Sequence, residues 1–160
     1  MKEIPREKGT YALVVRLRQP LVMRLNEREV VFARGLYVYA GSAFGPGGLR
    51  ARISRHLSRQ KRRHWHIDEL TSALQCKIMA LIFCISAEKL ERAICGLLSK
   101  DPRFASITGF GSSDDPRNPS HLFLFESDFS RCVSSCGAKY IRILEPVLLG
   151  QGIWIRNLAG

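Results

Sequence analysis

The residue types best suited to phosphate and proton chemistry lie in the first 70 residues and at His121. Tyr11 and Tyr39 each sit beside a glycine, in Gly9-Thr10-Tyr11 and Tyr39-Ala40-Gly41. A phenol ordinarily titrates near pH 10, so it moves protons at neutral pH only when a neighbour takes its proton or stabilises the phenolate. Tyrosines in strands more often serve packing, with the hydroxyl satisfied by a partner, and the two tyrosines alone do not decide between these uses. Arg50, Arg52, Arg55, Arg59, Lys61, Arg62 and Arg63 follow directly after the glycine-rich stretch 41–48. Guanidinium groups match phosphate oxygens as a bidentate fork and keep their charge at every relevant pH. Four glycines in the preceding loop would let backbone close on a ligand. Arg52 and His56 are four apart, which places them on one face of a helix. His56, His64, His66 and His121, with Asp68 and Glu69, invite a zinc reading, but His64 and His66 lack ligand spacing on a helix, and Cys132 and Cys136 have no second pair.

Elements must position these groups. Thr10–Arg18 alternates as a strand, with Tyr11, Leu13, Val15 and Leu17 on one face. Leu21–Leu25 and Val30–Phe32 flank the polar Asn26-Glu27-Arg28-Glu29 turn as a hairpin-like insertion. Leu36–Ala40 is a strand running into a loop. Leu49, Ile53 and Leu57 mark one apolar stripe of a helix over 49–58, and Trp65, Ile67, Leu70 and Leu74 mark a second over 65–74. Cys76–Ile85 is almost wholly apolar and predicts a central strand buried on both faces. A helix over 87–98, with Ser86 as N-cap, places Leu90, Ile94 and Leu98 toward the core. Residues 109–119 form a loop, His121–Phe125 a strand, and Tyr140–Leu144 and Ile153–Ile155 further strands. The expected class is therefore α/β (α+β).

The chain has 160 residues and a net charge of +11. Residues 1–63 hold fifteen Lys and Arg against four acidic residues, whereas residues 64–160 hold ten of each sign. An excess confined to the first part of the chain is the footprint expected for a polyanionic partner; the alternative is a solvated basic face. The start, Met1-Lys2-Glu3-Ile4-Pro5-Arg6, lacks the apolar core of a secretory signal. No apolar run approaches the roughly 20 residues of a membrane span. Five cysteines, mostly within apolar segments, read as buried thiols in a reducing compartment rather than a disulfide framework. The expectation is a cytoplasmic protein with no membrane partner.

Gly9-Thr10-Tyr11, Tyr39-Ala40-Gly41-Ser42-Ala43 and Leu49-Arg50-Ala51-Arg52-Ile53-Ser54-Arg55-His56-Leu57 together resemble the signature of the GIY-YIG nuclease superfamily. His64-Trp65-His66-Ile67-Asp68, Gly109-Phe110-Gly111-Ser112-Ser113-Asp114 and Ser120-His121-Leu122-Phe123 narrow the resemblance to the branch known as domain-of-unknown-function family 123. The resemblance spans roughly residues 9–125. It implies a three-layer domain over 1–128, with a small, mostly antiparallel central sheet flanked by helices. Residues 129–160, with extra C-terminal strands, would be an extension packing on that domain.

By the same resemblance, Tyr11, Tyr39, Arg52 and His56 are the expected catalytic residues and Glu91 the ligand of one Mg²⁺ or Mn²⁺ ion, with Glu88 a competitor one turn earlier. The implied reaction is hydrolysis of a DNA phosphodiester, with Tyr39 or His56 positioning or deprotonating the water. Ser42, Arg50, Arg55, Arg59, Lys61, Arg62 and Arg63 are the expected nucleic-acid contacts, RNA not being excluded. Relatives in the branch can be fused to DNA glycosylases of the endonuclease III type, which makes such a glycosylase a candidate partner. Thr10 and Ala40 stand where the superfamily usually has isoleucine, and the alternative reading is a binding module that kept the fold without the chemistry.

Overall fold

Strand β1 (Gly9–Leu17) sends Tyr11, Leu13, Val15 and Leu17 into one hydrophobic layer and Ala12 and Val14 into another. Every residue of it except Arg16 is buried. Burial on both faces is possible because helices cover the sheet above and below, as the period-2 alternation of a strand requires. The computed structural model describes residues 4–111, 120–128, 130–132 and 134–136, so the strands expected at 140–144 and 153–155 lie outside the described residues.

The remaining elements are β2 (Leu21–Leu25), β3 (Arg28–Phe32), β4 (Gly35–Ala43), α1 (Gly48–Leu57), α2 (His66–Ser72), β5 (Cys76–Ile85), α3 (Glu91–Ser99), β6 (Phe104–Ser106) and β7 (Leu122–Phe125). Five strands form one sheet in the order β5-β1-β4-β7-β6, each pairing antiparallel. On one face, Leu49 and Ile53 of α1 and Ile67 and Leu70 of α2 pack with Tyr11, Leu13 and Val15. On the other, Ile94, Cys95 and Leu98 of α3 pack with Ala12, Val14, Ala80 and Ile82, joined by Cys132 and Cys136. All five cysteines are buried and none is in a disulfide. Among the described residues no helix is long and apolar enough to cross a membrane.

Strand β5 differs from its sequence reading. Among the described residues it pairs with β1 alone and stands last in the order of the sheet. An apolar run reports cover on its two faces, which α2 and α3 supply, and says nothing of lateral neighbours. The apolar stripes are shorter than expected: Leu57, the last residue of α1, is 39% exposed, and Leu74, two residues past the end of α2, is 86% exposed. The third helix begins at Glu91 rather than residue 87, since the Ser86 hydroxyl bonds within a local turn to Glu88 N–H. Strand β6, which the sequence reading left unassigned, closes the far edge against β7.

The insertion is a separate two-stranded sheet, β2 and β3. Asn26 and Glu27 both take positive φ, 46° and 66°, the geometry of a two-residue hairpin turn. Met23, Leu25 and Phe32 tie it to the α1/α2 layer, and the Phe32 ring lies 6.0 Å from Phe110.

Candidate active site

Tyr11 and Tyr39 belong to neighbouring strands and project from the same face of the sheet. Their ring centroids are 6.4 Å apart. Gly41 pairs with Tyr11 across the ladder, and a Cβ there would stand 2.7 Å from the Tyr11 hydroxyl, so the glycine leaves the room that the phenol occupies. Both phenols line a cleft of about 890 Å³ that also takes in Arg52 from α1, Ser42 from β4 and Glu91 from the first turn of α3. Glu88 is exposed and is not part of this lining. The rest of the wall comes from Arg63 to Ile67, Glu69, Lys89, Arg92, Phe110, Gly111 and His121.

His56 stands behind this surface. It is 1% exposed and does not line the cleft, so it meets a bound molecule only through Tyr11. Its Nε2 lies 2.7 Å from the Tyr11 hydroxyl oxygen. Its Nδ1 lies 4.0 Å from Oδ1 of Asp68, and both of these atoms are buried without a hydrogen-bond partner. An ionised carboxylate beside Nδ1 favours the tautomer with the proton on that nitrogen. That leaves Nε2 to accept the phenolic proton.

Asp68 is wholly buried and sits in the first turn of α2. Burial works against its charge, but hydrogen bonds from Arg55 at 2.7 Å, His64 N–H at 3.1 Å and Trp65 N–H at 3.3 Å outweigh that and hold its pKa below the usual carboxylate value. Burial and the cations Lys61, Arg52 and Arg55 together push the His56 pKa down to about 3, with Asp68 acting the other way. The imidazole is therefore neutral at pH 7. Burial raises the Tyr11 pKa well above 10, with Tyr39 and Glu91 adding to the rise and Arg52 opposing it. Tyr39 is raised likewise, by burial and then by Glu91, with Arg52 again opposing. Neither phenol is ionised at rest, and the two are electrostatically coupled to the same guanidinium and the same carboxylate.

The start of the helix that carries Glu91 is held by a contact from β1. The Thr10 hydroxyl, fully buried, accepts the Leu90 N–H at 3.1 Å, fixing the start of α3 one residue before Glu91. Thr10 thus has a positioning role where an isoleucine would have none. Arg52 is steadied by Trp65, its guanidinium carbon 4.3 Å from the ring centroid.

The basic stretch divides in two. Arg55 bonds to Asp68 and to the Arg62 carbonyl. The Lys61 ammonium donates to Thr71 Oγ1 at 2.7 Å, to the His56 carbonyl at 3.1 Å and to the Arg55 carbonyl at 3.2 Å, closing the last turn of α1. Arg50 donates through Nε to the Ile4 carbonyl. These three cations hold the fold together around the cleft and lie outside its lining. Arg59, Arg62 and Arg63 are exposed, and Arg63 reaches the cleft.

The glycine loop closes on the chain itself. A Cβ on Gly48 would collide with the Arg6 carbonyl oxygen, and the first-turn N–H groups of Leu49 and Arg50 donate to the carbonyls of Glu7 and Pro5. The N-terminus of α1 is thereby occupied by backbone rather than open to a phosphate.

Sequence reasoning missed Asp68 as a partner of His56, and also Trp65, Phe110 and His121 as cleft walls. The signal was present in His64-Trp65-His66-Ile67-Asp68 and Ser120-His121, motifs without an assigned role. A family model described as Domain of unknown function DUF123 matches residues 10–142. No curated protein and no solved structure matches the chain.

Proposed function

This chain belongs to the DUF123 family, and from that premise we propose that it is a metal-dependent nuclease that hydrolyses phosphodiester bonds in DNA. The observation that carries the reading is the meeting of Tyr11, Tyr39, Arg52 and Glu91, distant in sequence, in one cleft with a proton acceptor 2.7 Å behind Tyr11. The cleft's charge suits the substrate: Arg52, Arg63, Lys89 and Arg92 face Glu69 and Glu91.

Arg52 holds the scissile phosphate and offsets charge as it grows in the transition state. The attacking water gives its proton to the Tyr11 oxygen while the phenolic proton passes to His56 Nε2, so no free phenolate forms. Asp68 is the neighbour that favours the imidazolium so formed, against burial and the cations Lys61, Arg52 and Arg55. The water oxygen bonds to phosphorus, the bond to the 3′-oxygen breaks, and that oxygen takes a proton from solvent. Tyr39 positions the water from the neighbouring strand.

Among the described residues no three His, Cys, Asp or Glu side chains gather as ligands. A hydrated Mg²⁺ or Mn²⁺ needs only one or two carboxylates and keeps several waters, a requirement that Glu91 meets. Such an ion, when bound, supplies electrophilic stabilisation of the leaving oxygen.

The test is incubation of the full chain with nicked, flapped, branched and plasmid DNA in Mg²⁺ or Mn²⁺. Expected is cleavage that Arg52→Ala and Glu91→Gln both abolish. Cleavage that survives both substitutions refutes the site. Salt-dependent binding without cleavage of any DNA or RNA would establish the binding-module alternative instead.

A further inference from the structure

We propose that the wall of this cleft built around Trp65 is a stacking subsite for a nucleobase that has left its own stack. The substrate class is then DNA with an unpaired base beside the phosphate to be cut. The inference rests on the nuclease reading of the same cleft and deepens it.

Trp65 is the N-cap residue of α2, with extended backbone angles (φ −127°, ψ 157°). Two guanidinium carbons lie against its ring, Arg52 at 4.3 Å and Arg55 at 5.0 Å from the centroid. Arg55 is itself pinned by the buried Asp68, so the ring is held from a fixed point. Even so, Trp65 keeps 44% of its surface exposed, inside a cationic cleft. An open ring with cations against it is a good platform for a base.

Two further rings complete the wall. His66 lies 5.7 Å from the buried Phe110 ring. His121 lines the same cleft, and its Nε2 is buried without a hydrogen-bond partner among the described residues. A base edge carries the donors and acceptors that such a nitrogen lacks. A cleft of about 890 Å³ also exceeds what one phosphodiester fills. Within paired duplex both faces of every base are already stacked, so Trp65 gains a partner only from a bulge, flap, end or single strand.

The test reads binding, in EDTA, so that cleavage does not enter. The full chain with Trp154→Phe leaves Trp65 as the sole tryptophan. Its fluorescence is expected to be quenched by a duplex with a single-base bulge and not by the same duplex fully paired. Trp65→Ala is expected to lower affinity for the bulged duplex about tenfold more than for the paired one, with Trp65→Phe recovering part of the loss. Thermal melting shows that each variant is folded, and an unchanged salt slope shows that the phosphate contacts persist. Equal quenching by both duplexes, or equal loss of affinity for both, overturns the subsite. Preference for the bulge without any cleavage in Mg²⁺ would sink the nuclease reading alone. Cleavage without such preference would sink the subsite alone.

Discussion

The Tyr11 hydroxyl and His56 Nε2 stand 2.7 Å apart across 45 residues of sequence, one on the first strand and the other on the first helix. On the proposed reading the contact gives the phenolic proton an acceptor, although burial raises the phenol's pKa and lowers the imidazole's. Tyr11→Phe removes the oxygen and keeps the ring that packs 6.4 Å from Tyr39 and 5.5 Å from His56. Loss of a proton-transfer group costs on the order of 10²–10⁴-fold in rate, so turnover should fall that far while DNA affinity in EDTA stays within about twofold. Single-turnover cleavage and fluorescence anisotropy measure the two quantities. A loss confined to affinity would count against the relay.

His56 also makes stability depend on pH. Its folded-state pKa of about 3 lies below the ordinary histidine value of 6.5, so between those values the unfolded chain binds the proton and the folded chain does not. Stability from this group is therefore complete above pH 6.5 and declines as the pH falls toward 3. Asp68, depressed by its hydrogen bonds, adds a loss of the same sign below its ordinary value near 3.8. Urea denaturation at pH 7.5, 6.0 and 4.5 should show a steady decline in the wild type and a flatter one in His56→Gln. Parallel curves would mean that the imidazole is not buried as a neutral group.

The layers of the fold were legible in the sequence because period-2 and period-3.6 patterns report which face is covered. Tyr11, Tyr39 and Arg52 were singled out through their spacing in a known signature and Glu91 only through its place in the helix after β5, and the structure brings the four to one cleft. Partners on different elements were not legible. Nothing in a string of residues says that Lys61 turns back onto α1 while Arg63 reaches the cleft, since both are cations in one run. That β5 pairs with β1 alone among the described residues was hidden for a related reason: hydropathy reports cover above and below a strand, while lateral pairing is set by topology.

Lys61 and the exposed arginines should separate in mutagenesis. Burial lowers the Lys61 pKa, with Arg55 adding to the effect and Asp68 opposing it, and the ammonium has three protein acceptors. Lys61→Met leaves two helix-terminal carbonyls and Thr71 short of a donor, a loss of about 1–3 kcal/mol in stability. Its effect on the salt dependence of DNA binding should be nil. Arg59→Ala, Arg62→Ala and Arg63→Ala should leave melting nearly unchanged. Each that contacts a phosphate should lower the slope of log K against log[salt] by about 0.9. Urea melts and salt titrations distinguish the two behaviours, and a slope change in Lys61→Met would place its ammonium on DNA instead.

Thr10 offers the sharpest test of how Glu91 is held. Its hydroxyl is the acceptor for the Leu90 N–H, 80 residues away in sequence, and no other protein group bonds that donor among the hydrogen bonds of the described residues. Thr10→Val keeps the shape and the β-branch of the side chain, so packing between Ala12, Val14 and α3 is preserved, but it leaves the N–H at the start of α3 unsatisfied. The cost in stability should be about 1 kcal/mol, the usual value for one lost bond to a helix end. Because Glu91 is the next residue, a change in where α3 begins moves the carboxylate relative to both phenols. The expected signature is a higher Mg²⁺ concentration for half-maximal cleavage, with maximal rate recovered at saturating Mg²⁺ and DNA affinity in EDTA unaltered. A Mg²⁺ requirement identical to wild type would show that Glu91 is positioned without Thr10, or that it does not hold the ion.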